Sequence, residues 1–92
     1  MNNMKINAAH ILVATQEEAV ALKGQIANGV DFAQLARSFS KCPSGREGGG
    51  LGFFGKGQMV PSFEEAAFAT PVGEVSEPVQ TQFGFHLIKR LY

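Results

Sequence analysis

Three side chains in this sequence carry chemistry that the rest does not: His10 in "AAHILV", Cys42 in "SKCPSG" and His86 in "FGFHLIKR". They are its only histidines and its only cysteine. Each histidine interrupts an apolar run of strand character, where a buried ring nitrogen without a partner costs free energy. Two such strands allow the rings to partner each other, either for acid–base work or as a structural hydrogen-bonded bridge; for one ring alone the structural role is the simpler account. Cys42 is either a small buried hydrophobe or a thiol presented by an irregular loop ahead of Pro43. A redox-sensing role would rest on Cys42 alone, with no resolving cysteine. A lone thiol also makes no internal disulfide and no cysteine-based zinc site, and the two histidines lack ligand spacing.

The elements that must hold these residues can be read from periodicity and punctuation. "KINAAHILVA" is a strand dense enough in apolar residues for a central position. Thr15 and Glu18 form a Thr-x-x-Glu capping box, and Ala19, Leu22 and Ile26 make one buried helical stripe that ends at Asn28-Gly29. Asp31 caps a second helix with the face Phe32, Leu35, Ala36 and Phe39. "SKCPSGREGGG" holds Pro43 and four glycines in eleven residues, too irregular for a long element. "LGFF" is a short strand, and Met59-Val60-Pro61 leads into a third helix with a second capping box at Ser62 and Glu65. "TPVGEVSEPV" gives a turn and an extended edge piece in which Pro78 is tolerable. Phe85 to Leu91 closes the chain as a strand. The order implies one α+β domain over residues 1–92, with a four-stranded, mostly antiparallel sheet and three to four helices.

Composition narrows the function. Only 17% of the 92 residues are charged, and eight basic side chains balance eight acidic ones. That leaves no electrostatic footprint for nucleic acid. The start, "MNNMKINAAH", has no basic region followed by an apolar core, and no stretch approaches the roughly 20 apolar residues of a membrane span. A soluble, cytoplasmic, monomeric domain is expected. "GLGFFG" at 50–55 matches Gly-x-Gly-x-x-Gly literally, but the fingerprint needs a preceding strand and a following helix, and here a glycine loop precedes and Gly57-Gln58 follows.

Taken together, "HILV", "CPSGREGGGLGFF", "GQMVPSFEEAAF" and "VGEVSEPVQTQFGFHLIK" resemble, in order and spacing, the parvulin family of peptidyl-prolyl cis–trans isomerases. The resemblance runs from His10 to Tyr92 and is similar to the small free-standing bacterial and archaeal members. It implies an FKBP-like fold, no cofactor and no metal, and proline-containing peptides and unfolded or partly folded proteins as partners. It further implies that His10 and His86 are the family's paired histidines, that Cys42 is its polar active-site position, and that Thr81 supports the histidine network. Leu51, Met59 and Phe63 match the apolar pocket for the proline ring, Phe54 matches the same wall more weakly, and Phe83 stands at the rim. Gln82 has no assigned role.

The residues themselves agree with that chemistry. Twisting an Xaa-Pro amide needs no nucleophile or metal, only a site that favours the twisted amide over the planar one. An apolar cleft could hold the pyrrolidine ring dry, although Met59 and Phe63, four residues apart, are also what a helix entry buries as plain core. The segment "ATQEEA" carries Glu17 and Glu18 and no cation, which disfavours a phosphorylated residue before proline. Two other readings stand beside the isomerase: a non-catalytic proline-segment binding or chaperone module, and the catalytic domain of a larger exported foldase.

Overall fold

The computed structural model describes residues 4–92. Its elements are β1 (Lys5–Val13), α1 (Gln16–Ala27), α2 (Phe32–Phe39), a 3-10 turn (Pro43–Glu47), β2 (Gly50–Gly55), α3 (Pro61–Ala69), β3 (Val79–Thr81) and β4 (Gly84–Arg90). The sheet order is β2-β1-β4-β3, and every neighbouring pair is antiparallel. The first and last strands of the chain are therefore the two central ones.

Period-two alternation along β1 and β4 sorts their side chains onto two covered faces. Ala9, Ile11 and Val13 join Leu87 on one face, packed by Ala19 and Leu22 of α1 and by Phe32, Leu35 and Ala36 of α2. Ile6, Ala8 and Ile88 lie on the other, under Phe54 of β2 and Phe63 and Ala67 of α3. Burial on both faces is why these strands read as nearly unbroken apolar runs. His10 and His86 hold even positions and so share the α3 face.

The helix starts behave as local chemistry requires, with one exception. Thr15 and Glu18 exchange both bonds of the capping box, and the Asp31 carboxylate accepts from Gln34 N at 3.1 Å. The expected box at Ser62 and Glu65 does not form. α3 begins at Pro61 in the first helical position, with Val60 as an uncapped N-cap. Proline presets the helical φ and lacks the N–H that would need a cap, so the helix starts before Ser62. Ser62 instead donates to Gln80 O across to β3 at 3.4 Å. Phe39 also departs from expectation. It closes α2 half exposed and joins neither buried cluster.

Candidate active site

The strand register brings the histidines together. Leu12 pairs with His86 and His10 with Ile88, so the imidazoles are diagonal neighbours on one face. Their Nδ1 atoms are 3.0 Å apart, with the planes 16° from parallel and the centroids 5.2 Å apart. Because the centroids lie about a ring diameter farther apart than the nitrogens, the rings meet edge to edge through a hydrogen bond and are not stacked.

This bond is the middle of a longer chain. Phe83 N–H donates to Thr81 Oγ1 at 3.1 Å, and Thr81 Oγ1 lies 2.7 Å from His86 Nε2. On the other side His10 Nε2 is 3.2 Å from Ser44 Oγ, whose hydroxyl donates to Cys42 Sγ at 3.3 Å. One polarity satisfies every link: Thr81 donates to His86 Nε2, His86 Nδ1–H to His10 Nδ1, and His10 Nε2–H to Ser44. Both rings are then neutral in complementary tautomers. Burial enforces that state. His10 is lowered to about 4, first by desolvation and then by the charge His86 would carry beside it. His86 is lowered as well, by burial. No buried side-chain nitrogen or oxygen among the described residues lacks a hydrogen-bond partner.

The loop bearing Cys42 and Ser44 is fastened to β1 by backbone. Lys41 N donates to Leu12 O at 2.7 Å and His10 N to Gly49 O at 2.9 Å. Ser40 Oγ accepts from Leu12 N at 3.1 Å and from Cys42 N at 3.3 Å. Gly49, at φ 85°, lies so close that an added Cβ would stand 2.3 Å from His10 O. Only glycine fits there.

Above this floor opens a cleft of about 530 Å³. Leu12, Leu51, Met59, Val60, Phe63 and Phe83 supply apolar wall, and Cys42, His10 and His86 the polar base. Phe63 stands edge-on to both imidazoles, 5.4 Å from His10 and 5.1 Å from His86. It roofs the pair while walling the cleft, so Phe63 belongs to the core cluster and to the cleft lining at once. Phe83 is 62% exposed at the rim. Of the expected pocket residues, only Phe54 is misplaced. It is 2% exposed and packs behind Phe63 and Phe68, in the core beneath the cleft. In "GFFG" alternation puts one phenylalanine inward, and the inward ring is Phe54 while Phe53 faces out.

Ser44, Ser40 and Leu12 escaped the sequence reading. Leu12 was legible in principle, since it lies two residues from His10 and must share its face. Chemically, Cys42 Sγ bonds to Ser44 and not to a ring nitrogen, so the site contains no Cys–His dyad to generate a nucleophile. What it offers is an apolar chamber with one fixed polar edge. The "GLGFFG" segment is strand β2 itself, not a strand-to-helix phosphate loop.

The model for the rotamase, PPIC-type PPIase domain matches residues 7–91. The foldase protein PrsA of Geobacillus kaustophilus is 50% identical over 86 residues, 92% of this chain and 31% of that protein. The Bacillus subtilis PrsA is 46% identical over 87 residues, 94% of this chain and 30% of that one. The chain thus spans about a third of the length of these curated relatives. The solution structure of NmPin, the parvulin of Nitrosopumilus maritimus, superposes with a TM-score of 0.90 at 45% identity, covering 100% of both chains. A crystal structure of PrsA from Bacillus anthracis gives 0.92 at 41% identity, covering 94% of this chain and 40% of the other.

Proposed function

Because the chain belongs to the PPIC-type peptidyl-prolyl cis–trans isomerase family, the parvulins, we propose that its cleft accelerates rotation about Xaa-Pro bonds by stabilising the twisted amide without covalent chemistry. The observation that carries this reading is the pairing of an apolar cleft with a closed, fully satisfied hydrogen-bonded floor. The planar amide is held by resonance worth a barrier of about 18–20 kcal/mol, and twisting it localises the lone pair on nitrogen and reduces the charge separation between nitrogen and the carbonyl oxygen. The pyrrolidine ring sits against Leu51, Met59 and Phe63, away from water that would solvate the planar ground state. Ser44 already donates to Cys42 Sγ, which leaves the thiol hydrogen for the substrate. Lowering the barrier by about 5–7 kcal/mol would supply roughly four to five decades of rate.

The histidines hold the floor in this account and transfer no proton. Their neutral, mutually satisfied state supports it, because each ring nitrogen is already committed. The residue directly before proline is uncharged. Glu18 is spent in the α1 capping box, Glu17 lies in the same first turn, and that segment has no cation to clamp a phosphate. Substrates are proline-containing peptides and unfolded or partly folded proteins, and the protein works as a cytoplasmic monomer that assists folding. Sedimentation and cell fractionation test those last two points.

Exchange spectroscopy on a short peptide with an apolar residue before proline tests the activity. Acceleration of cis–trans exchange is expected, and more slowly for the peptide phosphorylated at that residue. Binding of the peptide with no acceleration would establish the non-catalytic module instead. Faster exchange of the phosphorylated peptide would overturn the specificity.

A further inference from the structure

Beside the apolar cleft, and sharing Lys41, Cys42 and Pro43 with it, lies a second depression of about 340 Å³. Its walls are polar, and three cations meet on it. Arg37 comes from the last turn of α2, Lys41 from the loop that follows, and Arg46 from the 3-10 turn. No carboxylate lines it. Nor does any of the three have an acidic partner: the single salt bridge among the described residues joins Lys23 to Glu77. In a chain whose charges cancel overall, this is a local excess of positive charge at the lip of the reactive chamber.

Helix ends explain part of the arrangement, since a cation in the last turn of a helix interacts favourably with the exposed carbonyls. Arg37 has that role available. Lys41 does not: it lies outside every helix, its backbone is bonded to Leu12, and the residue borders both depressions. The two depressions adjoin at the Cys42–Pro43 ridge. An extended chain advances about 3.3 Å per residue, so a peptide with its proline in the cleft would cross that ridge within two to four residues.

We propose that Arg37, Lys41 and Arg46 form an acidic-residue subsite, which selects proline segments carrying Asp or Glu two to four residues from the proline on the Cys42 side. The assignment rests on the isomerase reading above and names its preferred substrates. Exposed ion pairs are individually weak, so selectivity arises from three cations acting on one carboxylate and is sensitive to salt.

The test is a peptide series with one parent Xaa-Pro sequence, in which a single Glu, or a single Lys, is moved residue by residue along each side. At low salt, Glu on one side raises kcat/KM by roughly three- to tenfold over the parent, through KM, and Lys at the same place lowers it. The gain disappears at high ionic strength and in the double variant Arg37→Gln/Arg46→Gln, whose two positions lie outside the apolar cleft and whose turnover of the parent stays at the wild-type level. A gain that survives in that variant would overturn the subsite. So would equal gains at every position, or equal binding of an oligoglutamate lacking proline, either of which marks simple counterion attraction. Chemical-shift titration of the same peptides reads the subsite without catalysis. A parent peptide that binds but is not turned over therefore overturns the isomerase reading alone.

Discussion

At Cys42 the structure separates two roles that sulfur can play. The thiol accepts from a hydroxyl and lines an apolar cleft, a placement that suits a directed dipole better than an attacking group. Cys42→Asp keeps a polar group at that wall and should retain activity within about tenfold of the wild type, whereas Cys42→Ala should lower turnover by roughly ten- to a hundredfold. Mass spectrometry during turnover should find no adduct on the sulfur; a trapped one would refute the non-covalent route. For the imidazole pair the expected signature is coupling. His10→Ala or His86→Ala leaves its partner buried with an unfilled bond, at about 1–3 kcal/mol each, and the double variant should cost less than the sum. Urea denaturation of the four proteins measures this, and strict additivity would show that the rings do not act as a pair. The same rings set an acid limit. Both pKa values are depressed in the folded state, so the unfolded chain binds more protons as pH falls below about 6.5. Stability is complete above that pH and declines down to the folded value for His10, about 4. The His10 contribution alone is on the order of 3 kcal/mol, and His10→Asn should flatten this part of the profile in denaturation titrations.

Between residues 40 and 50 the decisive element is a loop with almost no regular structure. It carries Cys42 and Ser44, and its placement depends on backbone contact with β1 at Leu12 and His10. Gly49→Ala pushes a methyl group into His10 O and imposes a left-handed φ on alanine, at about 2–4 kcal/mol, and should lower turnover of the molecules that remain folded. Gly52→Ala is the control. Its φ of 75° is equally left-handed, but nothing lies within 4 Å, so only about 1–2 kcal/mol is expected and turnover should not change. Equal effects in urea and isomerase assays would mean that the close approach at Gly49 is unimportant. This loop also marks where reading the sequence falls short. β1, β4 and α1 announce themselves through alternation, helical spacing and a capping box, and the pairing of the histidines follows from the strands that bear them. Ser44 has no such signal, because its role arises from a tertiary approach of a glycine-rich turn to a strand thirty-four residues away in sequence. Phe54 lies in the core and not in the cleft for a related reason: an inward side chain on β2 can serve either, and only its packing against Phe63 and Phe68 decides.

Over the whole molecule, one sheet supports two cores with unequal duties. The face under α1 and α2 holds no residue of the cleft, whereas the face under α3 holds the imidazoles, Ile88 and Phe63. Ile11→Val and Ile88→Val each remove one methylene from a fully buried side chain, and each should cost about 0.5–1.5 kcal/mol. Only Ile88→Val, paired across the sheet with His10, should also alter turnover per folded molecule. Identical kinetic effects would show that the faces are not functionally distinct. Because the central strands are the first and the last, the bond between His10 and His86 spans 76 residues of sequence. At the far end of the same strand pair, Asn7 and Tyr92 are joined backbone to backbone, with Leu91 N also bonded to Asn7 O. The outer ends of the two central strands thus lie side by side. A domain with that geometry can be spliced into the loop of a host protein at the entropic cost of a short gap, and it can be lifted out again without disturbing either partner. The PrsA relatives, in chains about three times as long, contain a region 46–50% identical to this unit.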